Sequence, residues 1–261
     1  MPQRHQAGPA RRVVAIASGK GGVGKSTLTL NLALAFSARG STVGVLDADL
    51  YGPDIPLMVG LKRTERAREL QLWRLGRPIT LPPVEVHGLR LMSIGFLLGE
   101  DQALLWPSMS VELVLRQLVH ETDWGELDYL FVDLPPGTAD VQQQIVRLLP
   151  LDGAIVVVGP QDVSHLDAKR VLELFGETGT RVLGGVENMA TLLCPHCGEA
   201  ISVFGEVSPD RSIWSLGVER LGSIPLDPTV ASGQPLLLAA PGSPPGRAIK
   251  AIAGRLADAL P

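Results

Sequence analysis

Residues 18–27 read SGKGGVGKST, and Gly19, Gly24, Lys25 and Ser26 fall at the spacing G-x-x-x-x-G-K-[ST] of a phosphate-binding loop. Glycines allow backbone N–H groups to turn inward around phosphate oxygens, where a Cβ would stand in the way. Gly19, Gly21, Gly22, Val23 and Gly24 are therefore expected to supply a cradle of amides. A helix starting near Lys25 would aim the positive end of its dipole at the same anion. Lys25 should reach the β- and γ-phosphates, the Ser26 hydroxyl should ligate Mg²⁺, and Thr27 can bond the α-phosphate. The ligand implied is a nucleoside triphosphate with Mg²⁺. Lys20 is a second lysine inside the loop, and its repulsion from Lys25 would be relieved by the triphosphate.

Three carboxylates are placed to act on that ligand. Asp47 and Asp49 follow an apolar run and project from the same side beyond a strand end, where α/β sheets bind ligands. Asp47 would hold a Mg²⁺-bound water and Asp49 would orient the attacking water. Asp133, in FVDLPPG, would bond the Mg²⁺ shell near Ser26, and Gly137 could offer its N–H to the γ-phosphate. Asn188, at the end of another apolar run, has an amide able to donate and accept at an adenine edge. The segment IPLDP at 224–228 could close over the base from the other side.

The second chemical group is CPHCG. Cys194 and Cys197 are the only cysteines of the chain, half of a four-thiolate metal site. Three readings stand: a soft-metal site completed by another chain, a thiol–disulfide pair, and an inert structural pair. A redox pair needs its first thiol at a helix N-terminus, and Gly198 follows the second cysteine at once. His196 lies inside the turn and is expected to face outward. Four sulfur ligands suit an iron–sulfur cubane or Zn²⁺, and spacing does not separate the two.

Strands and helices alternate around these groups. Apolar runs cut by Gly or Pro predict strands at 11–18, 41–49, 127–137, 153–160, 181–189 and 218–225, with an edge hairpin over 84–98 turned at His87–Gly88. Helical patterns occupy 25–40 and about 108–120, 139–149, 165–176, 204–215 and 246–260. The order implies an α/β fold, a mostly parallel, doubly wound sheet flanked by helices. Residues 1–11 read as a flexible tail and 12–261 as a single P-loop ATPase domain, with the Cys-x-x-Cys segment inserted around 191–200. The charged run 62–70 reads as a solvated surface, and the Pro-rich piece 239–247 as a linker.

A net charge of −4 gives no broad cationic field, so nucleic-acid binding is not expected. No apolar stretch approaches the roughly 20 residues of a membrane span, and the polar start has no signal-peptide core. A cytoplasmic protein is expected, which argues against a structural disulfide.

KGGVGKST resembles the deviant Walker A motif of the MinD, ParA and ArsA class of dimeric ATPases. That resemblance implies that Lys20 crosses to the partner subunit's nucleotide and stabilises the transferring phosphoryl group. DADLYGPDIP, LMSIGFLL, WGELDYLFVDLPPGTADVQ, VENMATLLCPHCG, VFGE and LGSIPLDP are similar to the Mrp/NBP35 (ApbC-type) iron–sulfur cluster carriers. The likeness covers about residues 12–235. It implies a homodimer, slow Mg²⁺-dependent ATP hydrolysis, and a [4Fe–4S] cluster held by Cys194 and Cys197 of each chain. It further implies apo iron–sulfur client proteins and cluster scaffold proteins as partners. The run after Trp106 and the segment around Gly159 depart from the family pattern. Alternatives are a MinD/ParA-like positioning or partitioning ATPase, a zinc-bridged dimeric ATPase, and a metabolic P-loop kinase or synthetase. A membrane-positioning version would need a free amphipathic tail at 247–260, whereas the plainer reading docks that helix.

Overall fold

The computed structural model describes residues 8–61, 80–96, 108–137, 140–194, 196–227 and 233–260. Side chains of 108–112 and 140 lie outside that description, as do the charged run 62–70 and Trp106.

β1 (Arg12–Ala17) shows how the layers arise. Its side chains alternate, Val13, Ala15 and Ala17 joining one buried cluster and Val14 and Ile16 the other. Both faces are therefore apolar, and both are covered, as a parallel sheet requires. α1 (Lys25–Ser37) and α7 (Pro244–Ala259) pack on the Val14 face. α3 (Ser108–His120), α4 (Asp140–Leu148) and α5 (Asp162–Glu177) pack on the other. α1 is buried almost all round, from Leu28 to Phe36, so it has no solvent stripe of its own.

The strands are β2 (Val43–Asp47), β3 (Val84–Val86), β4 (Leu89–Ser93), β5 (Tyr129–Asp133), β6 (Gly153–Val158), β7 (Val182–Leu193), β8 (Ala200–Ile201) and β9 (Arg220–Leu226). Their order is β3-β4-β2-β5-β1-β6-β7-β8, with β9 also paired to β7. β3 and β8 run antiparallel to their neighbours, and the other pairings are parallel. After β1 the chain crosses to β2 on one side, and after β5 it crosses to β6 on the other. β1 is thus the point where the winding reverses, the place where open α/β sheets open a ligand crevice. The expected hairpin is present as β3–β4, turned at His87 and Gly88 with φ 52° and 75°.

Four differences from the sequence reading have a physical reason beyond trimmed ends. β7 runs on past 189 to Leu193, because β8 folds back on it and completes its hydrogen bonding. No helix spans 204–215; that stretch forms turns and one 3-10 turn at Trp214–Leu216. Gly205 and Pro209 interrupt it, and the Asp162 carboxylate takes the Ser208 N–H that a helix would have used internally, together with the Ser208 hydroxyl. α5 begins at Asp162 instead of about 165. Part of the expected linker is instead the first turn of α7, where Pro244 leads and Ser243 Oγ accepts from Gly246 N at 3.2 Å.

Ile249, Ile252, Leu256 and Leu260 of the last helix are at most 3% exposed, so that stripe is docked on the sheet. α2 (Ile55–Met58) and α6 (Leu236–Ala239) are short helices beside α1. Among the described residues, no helix is long and apolar enough to cross a membrane.

Candidate nucleotide site and cysteine arm

The glycine loop joins β1 to α1 at the reversal point. Gly24 is the cap residue of α1 at φ 86°, with no side-chain cap and no acid in the first turn. The orphan N–H groups and the positive dipole end therefore face an open cradle. Two glycines are fixed by close approach. A Cβ on Gly19 would lie 2.2 Å from the backbone of Asp167 in α5, and one on Gly24 would lie 2.1 Å from Asn188 Nδ2. Lys20 is exposed and forms no ion pair among the described residues.

Lys25 is buried, with Nζ 2.9 Å from Asp133 Oδ1 and 3.9 Å from Asp49 Oδ2. Asp133 also accepts from Ser26 Oγ at 2.6 Å and from Thr29 Oγ1 at 2.9 Å. Asp47 is level with Asp133 across the β2–β5 pairing and is fully buried. It accepts from Ser93 Oγ at 2.8 Å and from the Asp49 N–H at 3.2 Å. Burial first, and the Asp133 charge second, hold the Asp47 carboxyl well above the usual carboxylate range. Burial raises Asp49 as well, with Lys25 opposing. One lysine thus faces three aspartates. This excess of hard oxygen donors beside a hydroxyl suits Mg²⁺, and the open amide cradle suits the phosphates it would accompany.

Asn188 Nδ2 donates to the Val23 carbonyl at 2.8 Å, which ties β7 to the loop. Next to it a small cleft is lined by Thr27, Asn188, Ile224, Pro225 and Leu226. The structure therefore brings Asn188 together with Ile224, Pro225 and Leu226 beside the loop. Gly137 differs from expectation: its N–H donates to the Ser18 carbonyl at 2.9 Å, so in this conformation it is not free for a phosphate. Sequence reasoning passed over Thr29 and Ser93, the hydroxyls that fix Asp133 and Asp47, and Met189, which holds φ 58° at the cleft. Thr29 sits one helical turn beyond Lys25, and Ser93 ends a strand, so position was the available signal.

β7 carries Asn188 and, beyond it, the cysteines. Its register with β9 slips between Asn188 and Leu192, and the Leu192–Ile201 and Leu193–Ala200 pairs then start a hairpin. Cys194 N donates to Glu199 O at 2.8 Å, and Gly198, at φ 76°, donates its N–H to Cys194 O at 2.9 Å. Both thiols are free, Cys194 half-buried and Cys197 exposed. Hydrogen bonds from the Cys197 and His196 backbone draw the Cys194 thiol below its ordinary value. His196 is exposed. The pair sits in a hairpin turn and starts no helix, so it lacks the setting of a redox pair. Around the cysteine pair, no third His, Cys, Asp or Glu among the described residues completes a metal site.

Residues 9–257 match the model of the NUBPL iron-transfer P-loop NTPases within the ParA group. The chain belongs to this family. It is 38% identical over 262 residues to an iron–sulfur cluster carrier protein of Synechocystis, covering 98% of this chain and 73% of that one. The nucleotide-binding protein of Archaeoglobus fulgidus, solved in complex with ADP, superposes with a TM-score of 0.70 at 34% identity, covering 86% of each chain. MinD of Aquifex aeolicus gives 0.65 at 26% identity, over 95% of this chain and 97% of that one. The fold of this NUBPL-family chain is that of the MinD/ParA-like P-loop NTPases, a mostly parallel sheet flanked by helices.

Proposed function

We propose that the protein is an ATP-hydrolysing iron–sulfur cluster carrier that works in the cytoplasm as a homodimer. Each chain gives Cys194 and Cys197, and the two-fold axis supplies the missing pair, so that one [4Fe–4S] cluster is bridged and then passed to an apoprotein. The observation that carries this reading is the arm itself: the chain's only two thiols share one turn at the tip of β7, the strand that also touches the phosphate loop. One exposed thiol beside a half-buried one leaves the pair open to release as well as capture.

ATP enters the amide cradle of Gly19 to Thr27, with Asn188 at the adenine edge. Lys25 exchanges its Asp133 partner for the β- and γ-phosphates. Ser26 and Asp133 would hold Mg²⁺, with Asp47 on its water shell, and the ion would neutralise phosphate charge. Asp49 orients the attacking water. The unpaired, exposed Lys20 reaches the nucleotide of the partner subunit, where it stabilises charge on the transferring group. The stripe of the last helix is docked on the sheet, so that helix is not the free amphipathic tail a membrane-positioning version would use.

Anaerobic reconstitution tests the carrier reading. Wild-type protein should take up iron and sulfide in equal amounts, one cubane per dimer, and Cys194→Ala/Cys197→Ala should take up neither. Zinc alone in the wild type, or iron retained by the double variant, would overturn it.

A further inference from the structure

On the α1–α7 face, away from the glycine loop, the end of α1, the β3–β4 turn, α6 and α7 enclose an open groove of about 540 Å³. That size takes small organic ligands. The floor is apolar and buried, with Leu34, Ala35 and Ala253 at 7, 6 and 1% exposure. Ser37 Oγ donates to the Gly88 carbonyl at 3.3 Å and ties the hairpin turn to α1, which fixes that wall.

The rim is basic. Arg39 follows α1, His87 sits at the hairpin turn, and Lys250 projects from α7. No carboxylate lines the groove, and neither Arg39, Lys250 nor His87 has an ion pair among the described residues. On a chain of net charge −4, an arginine and a lysine without a carboxylate partner among the described residues, with a histidine beside them around an apolar floor, run against the average. A cation after a helix C-terminus has an ordinary use in complementing the dipole, which accounts for Arg39. It accounts for neither Lys250, inside α7, nor His87, held at φ 52°. What the three share is the groove.

We propose that this groove binds a small anionic amphiphile, a free carboxylate with a hydrocarbon body. The hydrocarbon lies on the Leu34–Ala253 floor, and the head is held by Arg39 and Lys250 with charge-assisted hydrogen bonds. The site is separate from the nucleotide cleft, with α6 between them: Leu236 lines the cleft and Leu237 the groove.

Titration calorimetry with monomeric dodecanoate tests it. Wild-type protein should show one saturable site per chain. Arg39→Glu/Lys250→Glu should bind at least about tenfold more weakly, the loss expected for a charge-assisted contact. Ala38→Trp, at an exposed position on the groove wall, should block it. ADP binding, unchanged in each variant, shows that the fold is intact. The proposal fails if wild type shows no saturable binding, if either variant binds as wild type does, or if dodecanol binds as tightly as dodecanoate. Sedimentation with anionic phospholipid vesicles in the absence of dodecanoate binding would assign the groove to a membrane surface and overturn it equally.

Discussion

Asp133 accepts from three donors at once, Lys25, Ser26 and Thr29, while Asp47 beside it is sealed from water. The two carboxyls face each other in a site built for cations, and burial with mutual repulsion is what lifts Asp47. A raised carboxyl means the folded state holds a proton that the unfolded chain releases. The stability it contributes is complete below the ordinary carboxylate range and is lost as pH rises through the raised value. At neutral pH the nucleotide-free fold therefore carries a penalty at this position. Asp47→Asn should raise the melting temperature at pH 7, by about 2–4 °C for each kcal/mol relieved. The gain should shrink as pH approaches the unperturbed value of 3.8. Circular dichroism melts of the nucleotide-free variant across that range check it, and a lower melting temperature at pH 7 would count against the account.

At the scale of elements, α5 and the 208–216 stretch show where the sequence pattern misled. Apolar residues in 204–215 mimic a helix, yet Asp162 takes Ser208 and Arg211, and His165 Nδ1 accepts the Ile213 N–H at 3.2 Å. These partners lie more than 40 positions away, beyond any local window. The pairing also makes a pH-sensitive joint. His165 faces Trp214 and is surrounded by the charges of Arg220, Asp162 and Lys169. Burial, then Arg220, lowers its pKa from 6.5, so the folded state prefers the neutral ring that accepts from Ile213. Its contribution is present above 6.5 and is lost as pH falls below that value towards the folded pKa. Hydrogen exchange at the Ile213 amide, corrected for intrinsic rate, should quicken over that interval, and His165→Phe should abolish the pH dependence. Equal protection at pH 7.5 and 5.5 would show that the ring is not the joint.

Each chain holds two thiols, half of the four that the proposed cluster takes, and a Lys20 with no ion pair among the described residues. β7 links the halves, since Asn188 meets the phosphate loop and Cys194 follows beyond the register slip. If the cluster bridges two chains, loading must change the particle. Sedimentation velocity should give a dimer for cluster-loaded wild type. The Cys194→Ala/Cys197→Ala variant, free of nucleotide, should stay a monomer, and Lys20→Ala should keep the cluster dimer while losing ATP turnover. A cluster-loaded monomer would refute the bridge.

Read alone, the sequence settled whatever depends on neighbours along the chain. The glycine spacing of 18–27, the apolar runs that became β1, β2, β5 and β6, and the His87–Gly88 hairpin are local signals, because turn dihedrals and alternating burial act over a few residues. Only the tertiary structure decided that β7 continues to Leu193, that 204–215 is not a helix, and that Thr29 and Ser93 fix the aspartates. It alone gathered Arg39, His87 and Lys250 around one groove. In each case the deciding partner lies far along the chain, and a hydrogen bond or a buried face has no local spelling until the sheet has brought its two sides together.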